Sequence, residues 1–228
     1  WSNTMNKLAD TSPEPADLLV ELGCEELPPK ALDAIREAFF KAVHSGLESS
    51  NISFDSGGSR SYSSPRRLAM LFRSVAPSQP DQNMERRGPA VTASFDGDGK
   101  PTGAALGFAR SVGKGVSELE TMETDKGQWL VARVFEPGKP LSELIFPILE
   151  QAVRQLPVPK PMRWSDHDFS FVRPVHWLVV MHGDQVISGS LLGQQSANLT
   201  RGHRIHAPGP HELLHCSVYE DVMLNVYV

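Results

Sequence analysis

Cysteine and long apolar runs are both scarce in this 228-residue sequence. The two cysteines, Cys24 and Cys216, are too few for a disulfide framework and fit a reducing compartment. No apolar run is longer than that of Trp177 to Met181, which falls far short of the roughly 20 residues that a membrane-spanning helix needs. Residues 1–16 are polar and lack the apolar stretch of a secretory signal. A cytoplasmic protein with no membrane partner is therefore expected. No internal repeat is visible. At 40% apolar and 21% charged residues, with 18 Gly and 18 Pro, the composition excludes collagen, coiled coil and outright disorder. The formal charge of -5 is concentrated in residues 1–60, which hold ten Asp+Glu against five Lys+Arg. The remaining residues balance to zero, so they can carry local basic patches for a polyanion.

The chain begins at Trp1 and is expected to be a fragment or to start properly at Met5. Residues 1–16 are read as a disordered leader, 17–156 as an N-terminal α+β lobe, and 157–228 as a second, β-rich lobe truncated at its C-terminus. Leu18 to Leu22 suits a buried strand. Pro28 and Pro29 are placed to open a helix, where a missing N–H costs nothing. Leu32, Ile35, Phe39, Val43 and Leu47 continue it at three-to-four spacing. Arg67 to Val75 and Gln128 to Phe135 read as strands, Asp96 to Gly99 as a turn, and Thr102 to Val112 as a helix. Residues 141–156 form an amphipathic helix that Pro147 should kink. Val175 to His182 and Val186 to Leu192 flank Gly183-Asp184, a hairpin signal. Ser217 to Val228 is helix or strand. The expected class is α+β: a mixed, mostly antiparallel sheet packed by amphipathic helices on one side.

Most catalytic patterns fail on their own requirements. Gly107 to Lys114 has one residue too many between its glycines for a phosphate loop, and Gly115 stands where a magnesium-holding hydroxyl is needed. Gly113 is better explained as a helix C-cap. His203, His206, His211, His215 and Cys216 crowd one stretch, and His211 and His215 could share a helical face, but Pro208-Gly-Pro210 marks a loop there. No metal is assigned. There is no nucleophile elbow, and Cys24 beside Glu25 and Glu26 is a poor thiolate. Glu25 and Glu26 read as an acidic pair ahead of a helix N-terminus. No residue is assigned a catalytic role.

Arginine in short strings that contain Pro or Gly recurs: Arg66, Arg67, Arg86, Arg87, Arg163, Arg173, Arg201 and Arg204. At strand ends and tight loops these groups would project outward, where the planar fork suits phosphate oxygens. Trp164, Phe171, Trp177 and His203 lie among them as candidate stacking partners for unpaired bases. These arginines are the candidate RNA contacts, against the plain alternative of solvated faces and intramolecular ion pairs.

Specific strings go further. Glu21-Leu-Gly-Cys-Glu-Glu-Leu-Pro-Pro-Lys30 with Ala31-Leu32 resembles the opening of the beta subunit of bacterial two-subunit glycyl-tRNA synthetase. Similar strings follow in the family's order: Pro65-Arg-Arg-Leu-Ala69, Arg86-Arg-Gly-Pro-Ala90, Gly99-Lys-Pro101 and Asp125-Lys-Gly127. Pro157-Val-Pro-Lys160, Met162-Arg-Trp164, Phe171-Val-Arg-Pro-Val-His176 and Arg201-Gly-His-Arg204 complete them. The resemblance implies the N-terminal part of that subunit, without its helical and anticodon-binding domains. It implies a glycine–tRNA ligase of α2β2 form, in which ATP and magnesium act at the adenylation site on the alpha subunit. This segment would bind no cofactor and would support charging through contacts with tRNA(Gly) and the alpha subunit. The alternative within the family is a subunit-packing scaffold without direct RNA contact.

Overall fold

The computed structural model describes residues 14–124, 127–158 and 171–228. In chain order the elements are β1 Ala16–Cys24, α1 Leu32–Ser49, β2 Asp55–Ser64, β3 Arg67–Val75 and β4 Gln82–Ala90. Next come α2 Val91–Ser94, α3 Gly103–Ser111, β5 Glu120–Thr124, β6 Gly127–Glu136 and α4 Leu141–Arg154. After these lie β7 Val175–His182, β8 Gln185–Val186, β9 Ser190–Leu191, β10 Gln194–Ala197, β11 Leu199–Arg201, β12 Pro210–Glu212 and α5 Tyr219–Asn225.

The described residues fall into two compact units. The first runs to Gln79 and resumes at Lys139; the second is Pro80–Gly138. The expected boundary near Pro157 is not where this division falls, because β7 pairs along its length with β1 and joins one sheet to it. The expected leader, apart from residues 14–16, and residues 159–170 lie outside the described residues.

The first unit is built on a seven-stranded sheet of order β2-β3-β1-β7-β10-β9, with β8 paired to β7. Among the described residues only β7 and β10 run parallel; the fold is α+β with a mostly antiparallel sheet, as expected. The central strand β1 is buried at seven consecutive positions, which requires cover on both faces. Strand alternation divides those positions. Leu18, Val20, Leu22 and Cys24 face α1 and α4, whose buried stripes include Ile35, Phe39, Val43 and Leu47 on one helix and Ile145, Leu149 and Ala152 on the other. Leu19 faces the opposite side, with Ala69, Leu71, Val179 and Met181, beneath Tyr219 and Met223 of α5. Helices therefore cover both faces, not one. The sequence hid this because α5 is only seven residues long.

Other expectations shift in detail. Pro28 and Pro29 form a turn ahead of α1, closed by the Ala31 N–H on the Pro28 carbonyl at 3.0 Å. The helix itself starts at Leu32. Pro147 lies inside α4 on its exposed side. The hairpin at Gly183 (φ 61°) is real but short, since β8 has two residues before the chain leaves for β9.

The second unit is a three-stranded antiparallel sheet, β4-β6-β5, with α2 and α3. Leu130, Val131 and Ala132 of its central strand are buried. Phe108 of α3 packs where a side chain on Gly88 would stand. The chain leaves and re-enters the first unit at adjacent points. The Gln79 N–H donates to the Lys139 carbonyl at 2.9 Å, and the Leu141 N–H to that of Pro77 at 2.8 Å.

Both cysteines lie in the first unit's core. Burial pushes the Cys24 thiol up from 9.0 to about 12; Arg66 opposes the rise and Glu25 adds to it. The charge of Glu25 is thus the lesser cause. Burial likewise pushes Cys216 to about 12. Tyr219 is raised well above its ordinary value, first by burial and then by the charge of Glu21. A folded value above the unfolded one gives stability that is complete below the unfolded value and lost as pH rises through the folded one. The urea midpoint is therefore expected to hold up to about pH 9 and to fall from there towards about 12. Native protein at about pH 8 should react with a disulfide reagent far more slowly than protein in denaturant. Equal rates would place the thiols at the surface.

Candidate nucleic-acid interface

The face of the sheet under α5 changes character along β1. Leu19 is surrounded by apolar neighbours, but two residues on the same side comes Glu21, fully buried, and then Gly23. Register places Gly23 opposite Arg67 on β3 and opposite Trp177 on β7. A Cβ on Gly23 would fall inside the Trp177 ring, so glycine is what lets the indole lie across the strand.

Glu21 gathers the surrounding polar groups. It accepts from Trp177 Nε1 at 2.5 Å and Thr200 Oγ1 at 2.6 Å on one oxygen, and from Tyr219 at 2.5 Å on the other. Arg67 Nε stands 3.2 Å from that second oxygen, within ion-pair distance but off the line of a hydrogen bond. The Arg67 guanidinium also donates to Met223 Sδ at 2.8 Å, to Thr200 Oγ1 at 3.4 Å and to the Arg201 carbonyl. One carboxylate thus joins β1, β3, β7, β11 and α5.

Above this floor opens a cleft of about 800 Å³. Arg66 comes to it from the β2–β3 turn, Arg67 from the start of β3, His176 and Trp177 from β7, Arg201 to Arg204 from the end of β11 and beyond, and Tyr227 from beyond α5. With Arg67 set against Glu21, three guanidinium groups and one carboxylate, Glu26, line it. Arg66 Nε lies 3.3 Å from the Cys24 carbonyl. The Arg201 guanidinium stands 5.8 Å from the Trp177 ring centroid, and that of Arg67 at 5.7 Å. Among the described residues neither Arg201 nor Arg204 forms an ion pair. Backbone N–H groups of Ile205 and His206 point at His203 Nδ1, at 3.2 and 3.3 Å, which leaves Nε2 of the neutral ring as the N–H donor. His176 pairs with Glu25 at 3.5 Å.

The candidate arginines thus separate. Arg66, Arg201 and Arg204 meet at the cleft. Arg67 meets them there, but it is 4% exposed and turned inward, contrary to the outward projection expected of it, because Glu21 lies buried beneath. Arg173 Nε donates to the Glu26 carbonyl at 3.1 Å. Arg86 and Arg87 belong to the second unit and lie within β4 instead of at a strand end. There Arg86 pairs with Glu136 at 2.9 Å, and Arg87 lies 3.7 Å over the Trp129 ring. Arg163 and Trp164 lie outside the described residues. Phe171 is core, 1% exposed, so it offers no face to a base. Reading the sequence missed Glu21, Thr200, Tyr219 and Tyr227. One signal was available, an acidic residue inside the apolar run Leu18 to Leu22.

The other patterns resolve into local structure. Gly107 lies inside α3, and Gly113 (φ 67°) follows its end, so no phosphate cradle forms there. His211 is on β12, which removes the supposed helical face; its Nε2 lies 3.1 Å from the Ala207 carbonyl. His215 Nδ1 accepts from the Ser217 N–H at 3.0 Å, and Cys216 Sγ faces the Met181 carbonyl at 3.3 Å.

The strings that meet at the cleft are Glu21–Lys30, Pro65–Ala69, Phe171–His176 and Arg201–Arg204, brought together from distant parts of the chain. A family model described as glycyl-tRNA synthetase beta subunit matches residues 18–228. The chain belongs to that family. It is 50% identical over 192 residues to the glycine–tRNA ligase beta subunit of Marinobacter nauticus, covering 84% of this chain and 27% of that protein. To the Alteromonas mediterranea subunit it is 45% identical over 210 residues, 92% of this chain and 30% of that one. To the Coxiella burnetii subunit the identity is 43% over 192 residues, 84% and 28% of the two. The chain therefore spans less than a third of the length of these relatives. No helix among the described residues is long and apolar enough to cross a membrane.

Proposed function

We propose that this chain acts as the N-terminal region of a glycyl-tRNA synthetase beta subunit and supports ATP-dependent attachment of glycine to tRNA(Gly). In this reading it grips the tRNA, while adenylation, with its ATP and magnesium, takes place on the alpha subunit of a cytoplasmic α2β2 enzyme. The segment itself holds no cofactor. The observation that carries the reading is the convergence of Arg66, Arg201 and Arg204 on one cleft with a single opposing carboxylate. Guanidinium groups held this way favour phosphate oxygens, and the interaction is electrostatic and salt-dependent.

The test is tRNA binding by the full-length alpha–beta complex carrying Arg201→Glu and Arg204→Glu. Affinity is expected to fall at least tenfold. The dependence on salt should become shallower by roughly 0.7–0.9 in log–log slope for each phosphate no longer neutralised. Unchanged affinity and slope would overturn the reading. Arg67→Glu is unsuitable here, because it would place two carboxylates together in the core. The scaffold reading has its own support: Arg66 lies beside a backbone carbonyl, while Arg86 and Arg87 are engaged within their own unit. Hydrogen exchange separates the two readings, since tRNA docked on the cleft protects the loop 201–209 and a scaffold role does not.

A further inference from the structure

We infer that Glu21, Arg67 and Thr200 are positioning residues for Arg201: the buried ion pair holds the backbone on which that arginine stands and so aims its guanidinium at a tRNA phosphate. This rests on the proposed tRNA role and adds to it the interior residues that set one of its contacts.

Buried polarity marks the place. Among the described residues, four side chains of the charged, amide or Ser/Thr type are shut in the interior: Glu21, Arg67, Ser94 and Thr200. Ser94 serves its own short helix, its hydroxyl donating to the Ala90 carbonyl at 2.7 Å. The other three join one another. A buried ion pair is seldom more stabilising than packed apolar residues of the same volume, and its best attested use is to fix one register. Under this cleft, the register it fixes is that of β11.

That strand pairs with β12 in a two-stranded ladder separate from the seven-stranded sheet. Of its three residues only Thr200 is buried, and strand alternation turns Leu199 and Arg201 the other way. With a hydroxyl as its one inward side chain, β11 gains little from apolar burial. Thr200 Oγ1 instead donates to Glu21 at 2.6 Å. The Arg201 carbonyl is the next link. Register sets Arg201 opposite Pro210, which has no N–H to give it. The Arg67 guanidinium supplies that donor from the other side. Just beyond, a Cβ on Gly202 would stand 2.7 Å from the Ala207 carbonyl oxygen, so the chain turns back at close quarters. Arg201 is therefore held by its own backbone, through Arg67 and Thr200, to the Glu21 carboxylate. Among the described residues the side chain of Arg204 makes no bond to this cluster.

The experiment measures tRNA affinity of the full-length alpha–beta complex in a set of mutant cycles. Arg201→Ala and Arg204→Ala are each made in the wild type, in Thr200→Val, and in Glu21→Leu with Arg67→Met. In the wild type Arg201→Ala should weaken binding about fivefold or more. In the apolar pair it should change affinity by less than about twofold, because the guanidinium is already out of place. In Thr200→Val, where the Arg67 link remains, the factor should fall between these. Arg204→Ala should cost the same factor in all three. Partial unfolding lowers the active fraction but leaves both factors as they were, so it does not imitate this pattern. Thr200→Ser, which keeps the hydroxyl, should retain the full Arg201 factor. An Arg201 factor undiminished in either background, or an Arg204 factor that falls with it, overturns the inference. If Arg201→Glu with Arg204→Glu still weakens tRNA binding in that case, the tRNA role stands and only the positioning is lost. If neither arginine matters in the wild type, both readings go.

Discussion

Replacing Glu21 with alanine should remove about 3–5 kcal/mol of folding stability. The carboxylate is fully buried and serves four partners, one of them the Arg67 cation, which is itself 4% exposed. Without it, that cation stays in the core with no counter-charge, and three donors lose their acceptor. Deleting one donor instead is milder: Tyr219→Phe should cost about 1.5–3 kcal/mol, the range for a hydrogen bond to a charged group. The double change Glu21→Leu with Arg67→Met should recover most of the loss, because an apolar pair of similar volume leaves no charge behind. Urea denaturation of the four proteins measures this. A loss below about 1 kcal/mol for Glu21→Ala would mean that water reaches the cluster and screens it as at a surface.

Gly23→Leu should be nearly as damaging, at about 3 kcal/mol or more, by a different route. A side chain there occupies the space of the Trp177 ring, and overfilling a packed site costs about 1–3 kcal/mol by itself. The displaced indole then abandons Glu21, and the missing bond to a carboxylate adds about 1.5–3 kcal/mol. The same displacement strips the cleft floor, so RNA binding should weaken together with stability. Denaturation midpoints and tRNA affinities on one set of samples check the coupling. A stable Gly23→Leu protein with undisturbed tryptophan fluorescence would refute it.

What the sequence conveyed and what it withheld follow from the range of the interactions. Arg67 to Val75 was readable to the residue, because apolar residues filling a two-faced strand leave a continuous run. The α1 and α4 stripes were readable from spacing alone. Strands β2 and β4 were not read, since Asp55–Ser64 is largely Ser and Gly, and Gln82–Ala90 is polar with a bulge near Pro89. Their strand character comes from pairing with a neighbour outside their own segment. The inward turn of Arg67 was invisible for the same reason: its cause, Glu21, is its neighbour only through the sheet. Arg201 and Arg204 were identified by composition, but their company with Trp177 and Tyr227 exists only once β11 and α5 are in place.

The junction at Gln79 and Lys139 bears on how freely the second unit can be altered. The backbone departs and returns through neighbouring residues tied by their own hydrogen bonds, so the ends of the excursion are held together within the first unit. Shortening that excursion is therefore expected to leave the first unit's sheet, with its arginine-lined recess and buried carboxylate, in place.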